Sequence, residues 1–295
     1  MTQKMKPWVN AATWLALMLA PFTTWAATGQ EDVQTIIERS IQANDKDWQA
    51  GPAYSFVERD VQDGGNRTNE VTMLLGSPYY HLVAINGKPL TPAEQAEERQ
   101  KQERITAQRC AESNQERAER IARYERERSR DHQLMDEMTK AFSFKLVGER
   151  GSGSFEVYVL KATPKPGYQP PNNETKVLTG MQGEIWIDKQ TFQWVRVEAE
   201  VIHSVSILGV LARVEPGTRF ELEKMPVDSG IWLPEHFAMK SRAKVLFLYT
   251  RKDQEDETYF DYRKAIPNEA ADYTGRVNMS CISGSRTIST TQEMR

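Results

Sequence analysis

Met181-Gln-Gly-Glu-Ile-Trp-Ile-Asp188, continued by Lys189-Gln-Thr-Phe-Gln193 and Trp194-Val-Arg-Val-Glu-Ala-Glu-Val201, decides the fold. It reads as two strands joined at Asp188–Thr191. In the second arm Val195, Val197, Ala199 and Val201 alternate with Arg196, Glu198 and Glu200. A period of two sends apolar side chains to one face and charges to the other, the mark of a strand with one dry and one wet side. The same alternation recurs after this hairpin. The predicted fold class is β-rich α+β, with a curved antiparallel sheet forming an open half-barrel wrapped around helices and carrying a charged helical insertion.

Upstream of the hairpin, Glu31 to Ala43 predicts a helix with Val33, Ile36, Ile37 and Ile41 on one face, and Asn44 to Pro52 reads as a turn. Tyr54 to Val61 is a strand closed by Asp63-Gly64-Gly65-Asn66, Val71 to Leu75 returns, and Tyr79 to Ile85 ends at Asn86-Gly87, a specific hairpin signal. Thr91-Pro92-Ala93-Glu94 then opens a long helical region, with Thr91 placed to cap and Glu94 three residues on, as a capping box requires. From Glu94 to Lys140 the chain has 12 acidic and 11 basic residues in 47. Apolar residues are sparse there until Leu134, Met135, Met138 and Phe142 make a stripe that must dock. This reads as a charged helical hairpin projecting from the sheet, or as a partner-binding arm or lid.

Further strands are predicted at Phe144–Glu149, Phe155–Ala162, Phe220–Lys224, Trp232–Met239, Ala243–Thr250 and Thr258–Arg263. Thr163 to Asn173, with four prolines, is a rigid loop. The apolar connection Val205 to Val214 reads equally as a mouth loop or a core strand. Asp253, Glu255, Asp256 and Glu257 read as a solvated hairpin tip, since they lack calcium-loop spacing.

Composition narrows the function classes. Lys4 and Lys6 precede the apolar run within Ala11–Phe22, with Thr24-Trp25-Ala26 before Ala27, which reads as a secretory signal over residues 1–26. Its apolar core is short for the alternative, an uncleaved anchor. Residues 27–264 form the half-barrel domain, with the insertion at 91–142, and 265–295 an irregular tail. Loss of Lys4 and Lys6 takes the formal charge from -3 to -5, which argues against nucleic acid. The two cysteines, Cys110 and Cys281, are candidates to pair in an oxidising compartment, but their positions in the sequence leave that open. The predicted location is periplasmic or secreted.

Tyr79-Tyr80-His81-Leu82-Val83-Ala84-Ile85-Asn86-Gly87-Lys88 resembles the strand-and-turn element of outer-membrane lipoprotein-sorting proteins. Gly183-Glu184-Ile185-Trp186-Ile187-Asp188 with Trp194-Val195-Arg196-Val197-Glu198 resembles their hairpin. On these residues the chain, from about Glu31 to Lys264, is similar to the LolA-like superfamily, which includes lipoprotein carriers and a periplasmic sigma-factor regulator. The resemblance implies a half-barrel with helices over its open side and an apolar cavity that shelters acyl chains. The carriers' ligand-coupling arginine has no matched position, and Arg59 and Arg67 are candidates by location alone.

No catalytic or metal motif stands out. His81, His132, His203 and His236 show no metal spacing, and nucleophile elbows and phosphate loops are absent. The expectation is therefore a binding protein, not an enzyme, without cofactor or metal. By alternation the concave face is lined by Phe155, Val157, Val159, Val195, Val197, Phe220, Leu222, Phe237, Met239, Val245, Phe247 and Tyr249. Either the helices fill that face as an ordinary core, or they leave a cavity. The partner classes are a hydrophobic ligand or lipidated protein, or an envelope protein bound through the charged arm or the sheet surface.

Overall fold

The structure is a computed structural model, and it describes residues 32–62, 64–207, 212–245, 249–265 and 281. The predicted signal segment lies outside the described residues, as does the tail except Ala265 and Cys281. The described residues form one compact unit.

The described strands belong to one antiparallel sheet, open at both ends. Helix α1 (Val33–Ala50) leads into a short 3-10 turn, then β1 (Tyr54–Gln62), β2 (Gly65–Leu74), β3 (Ser77–Ile85) and β4 (Lys88–Pro89). Helices α2 (Pro92–Ala111) and α3 (Asn114–Ala141) follow, then β5 (Phe142–Ser152), β6 (Phe155–Pro164), β7 (Met181–Asp188) and β8 (Trp194–Val201). A small pair, β9 (Val205–Ser206) and β10 (Ala212–Val214), precedes β11 (Arg219–Asp228), β12 (Ile231–Val245) and β13 (Tyr249–Lys264). Strand order is β4-β3-β2-β1-β13-β12-β11-β8-β7-β6-β5, so the last strand pairs with the first and the meander folds back on itself. At one edge β4 is two residues long and ends in Pro89. At the other, the register of β5 slips between Leu146 and Gly148, leaving Val147 as a bulge.

The organising hairpin forms as its sequence predicts. Asp188 Oδ2 accepts from the backbone N–H groups of Gln190 (3.2 Å) and Thr191 (2.8 Å) and from the Thr191 hydroxyl, which closes the turn. Along β6 the two faces separate as alternation demands. Tyr158 and Leu160 join Ile185, Ile187, Trp194, Val197 and the α1 residues Ile36 and Ile37 in the main core. Val157 and Val159 join Val195 and Trp232 in a second cluster on the face away from α1.

Four expectations need correction. Helix α1 does not stop at Ala43 but runs to Ala50, because its buried stripe continues as Ser40, Asn44 and Asp47, polar residues that an apolar periodicity does not register. The segments read as Trp232–Met239 and Ala243–Thr250 belong to two long paired strands, with Val245 opposite Tyr249. Asp253 to Glu257 consequently lie inside β13, opposite Phe237 to Ser241, and are not a hairpin tip. The charged helices do not project. Arg109 donates from Nη1 to the carbonyls of Leu74 (2.7 Å) and Ser77 (3.0 Å) and from Nη2 to that of Pro78 (3.1 Å). Arg120 grips Glu112 with two hydrogen bonds and reaches Leu75 O (3.0 Å) and Ser77 Oγ (2.8 Å). Both capping boxes, Thr91 with Glu94 and Ser113 with Glu116, are formed. A disulfide joins Cys110 of α2 to Cys281.

Candidate functional site

The helices do not fill the sheet face completely. Between α1, α3 and the sheet lies a cavity of about 320 Å³. Its roof is Trp48 from the last turn of α1, with Tyr124, Arg128 and Met135 from α3. Its walls are Phe56 of β1, Leu222 of β11, Leu233 and Pro234 of β12, and Tyr259 and Tyr262 of β13. The tyrosine hydroxyls are spoken for: Tyr262 donates to the Pro234 carbonyl (2.7 Å) and Tyr259 to Glu257. Burial pushes both phenols up, so they stay neutral and present apolar rings to the space.

Beneath this apolar volume lies a locked polar floor. Lys224 Nζ donates to Asp47 Oδ2 (2.5 Å) and Asn44 Oδ1 (2.7 Å). Asp47 Oδ1 accepts from the Trp232 backbone N–H (2.9 Å) and from Gln193 Nε2 (3.1 Å). Burial pulls the Lys224 ammonium below its ordinary range, and the adjacent Asp47 carboxylate opposes that pull. The pair holds α1 to β11 and β12, and its charges neutralise each other. One donor is left over: Trp48 Nε1 is buried without a hydrogen-bond partner among the described residues.

The twelve residues predicted to line a common face are divided by the structure. Leu222 lines the cavity, and Val197 and Phe220 belong to the main core beside it. The ring of Phe237 stacks edge-on against Phe220, centroids 5.3 Å apart. Phe155, Val157, Val159 and Val195 sit in the cluster on the other face. A bulge in β8 causes the parting of Val195 from Val197: Trp194 faces Ile187 and Arg196 faces Trp186, so Val195 is the extra residue that reverses the alternation. Met239, with Phe220, borders a wider groove of about 610 Å³ walled by Glu184, Glu198, Glu221 and Lys240, a polar setting unsuited to an acyl chain. The side chains of Val245 and Tyr249, and all of Phe247, lie outside the described residues. Arg59 bonds Thr258 Oγ1 (3.2 Å) on β13, and Arg67 pairs with Asp60 across the strands, so neither reaches the cavity lining.

Sequence reading missed Asn44, Asp47 and Trp48 because they fall in the stretch taken for a turn. The available signal was their spacing from Ile36, Ile37 and Ser40, which continues one helical stripe into polar residues.

No protein-family model matches the chain, and no curated protein matches it. Among solved structures it is similar to a LolA superfamily protein from Nitrosomonas europaea, at 12% identity over 80% of this chain and 96% of that one, with a TM-score of 0.30. It is also similar to an outer membrane lipoprotein-sorting protein domain from Vibrio parahaemolyticus, at 10% identity over 83% of this chain and 100% of that one, TM-score 0.33. The MucA/MucB complex from Pseudomonas aeruginosa gives 10% identity over 77% and 99%, TM-score 0.20. Among the described residues no helix is long and apolar enough to cross a membrane. With the fold standing on its own strand order and register, the chain's likeness runs to LolA superfamily and lipoprotein-sorting structures.

Proposed function

We propose that the protein is a non-catalytic binding protein of the cell envelope, sheltering an acyl chain or a similarly apolar part of an envelope molecule in the space beneath Trp48 and Met135. The observation that carries this reading is the apolar cavity itself, left open between the helices and the sheet. Its volume stands at the lower end of the range for small-ligand sites, roughly 300–1,000 Å³. Each sheltered methylene contributes about 0.8 kcal/mol, so losing only a few of them weakens binding about hundredfold. Lys224 and Asp47 are committed to each other, which favours binding over acid–base chemistry.

The test is native mass spectrometry of protein purified without detergent, with displacement of a fluorescent fatty acid as the solution readout. The wild type holds one lipid-sized mass, Leu222→Asp loses it, and Trp48→Ala, which removes part of the roof, binds more weakly. A ligand-free wild type that also ignores the fatty acid would sink the proposal. The other reading, a regulator that docks a protein partner through the charged arm, is weakened by Arg109, Arg120 and Arg128, which that arm spends on the domain itself.

A further inference from the structure

We infer that Asp45 of α1 with His132 and Asp136 of α3 form a binding site for a divalent transition-metal ion of the zinc type. The three residues offer one ligand atom each, all within 4.8 Å of one another. His132 and Asp136 stand one helical turn apart on α3, and Asp45 faces them from the neighbouring helix. His132 Nε2 lies 3.4 Å from Asp45 Oδ1 and 3.8 Å from Asp136 Oδ2. Those separations are long for a hydrogen bond, which closes to about 2.7–3.2 Å. The shorter matches an edge of a tetrahedron around a metal with ligand distances of about 2.0–2.2 Å, whose corners stand about 3.3–3.6 Å apart, and the longer has a few tenths of an ångström to close on binding.

The imidazole is already oriented. Its ring stacks on Trp48 with centroids 4.3 Å apart and planes 15° from parallel, and Trp48 is held in turn by Arg128, whose guanidinium lies 4.5 Å from the indole centroid. His132 Nε2 is the ring nitrogen turned to the carboxylates, and Nδ1, buried without a hydrogen-bond partner among the described residues, would carry its proton without an acceptor when a metal is bound, a cost the three ligands must offset. Both carboxylates are partly exposed, at 41% and 43%, which gives an ion a path in from solvent. One imidazole and two carboxylates form a donor set for zinc and its first-row neighbours, leaving a fourth position for water or an incoming ligand. An ion here staples α1 to α3 beside the cavity roof. The inference does not depend on what the cavity binds.

The experiment is calorimetric titration of Zn²⁺ into the metal-stripped full-length exported chain, with Mg²⁺ as control and Co²⁺ absorption to report a tetrahedral site. One Zn²⁺ binds per chain, Mg²⁺ does not compete, and bound Co²⁺ shows intense visible bands. Asp45→Asn and Asp136→Asn, at partly exposed positions that leave the fold intact, each weaken Zn²⁺ binding by about tenfold or more. His132→Gln does the same and removes the cobalt bands. Zn²⁺ binding unchanged in both Asn variants, or no binding to the wild type, would overturn the assignment. Neither result bears on fatty-acid binding, which is read separately.

Discussion

At the scale of single residues, two side chains stand apart from their surroundings. Glu58 lies on β1 opposite Tyr259. Burial, then the neighbouring charges of Glu257, Asp60 and Glu255, raise its carboxyl from an ordinary 4.5 to about 7. A carboxyl whose folded pKa is raised binds more protons in the folded state than in the unfolded one. It therefore contributes stability that is fully present below about pH 4.5 and lost as pH rises through about 7. Thermal melts from pH 5 to 8 should show this decline in the wild type, and Glu58→Gln should flatten it. An unchanged slope in the variant would remove Glu58 as its source. Lys224 makes the second case. Replacing it with Met leaves Asp47 buried without its counter-charge and costs about 3–5 kcal/mol in urea unfolding. Adding Asp47→Asn to that variant should recover part of the loss, because the uncompensated charge is gone while an oxygen remains for the Trp232 N–H.

At the scale of elements, the hairpins were legible because turn chemistry and a period of two agree at Asn86-Gly87, Gly153-Ser154 and Asp188–Thr191. What escaped is equally specific. The second half of α1 buries Asn44 and Asp47, so hydrophobic periodicity fades where the helix turns polar residues inward. Strand β13 places Glu255 and Glu257 opposite Met239 and Phe237, an acidic run that looks like a loop until its partner strand is known. Cross-strand pairing of that kind is tertiary information and leaves no local mark. The cavity lining was legible at Leu222 alone, since bulges reassign faces and the roof comes from helices distant in sequence. The arm's anchorage was also hidden, because an arginine that binds backbone carbonyls reads like any solvated one. It has work to do: the β2–β3 turn holds Leu75 at φ 50°, an unfavourable backbone for a side-chain-bearing residue. Arg120→Met should therefore lower stability by about 2 kcal/mol, measured as a shift of the urea midpoint at constant slope.

At the scale of the whole molecule, Cys110 and Cys281 tie α2 to a point 171 residues further along. Cross-linking across so long a separation restricts the unfolded chain strongly, and its loss costs about 2–5 kcal/mol. Melting temperatures with and without reductant should differ accordingly, and Cys110→Ser should melt like the reduced wild type. Identical melting in both states would show that the bond adds nothing to the fold. The stub at Lys88–Pro89 and the kink at Val147 have a consequence for how copies of the molecule meet. A second copy laying its own backbone alongside would find a two-residue foothold at one margin and a broken ladder at the other. The open sheet is therefore guarded at both margins against zipping into polymers.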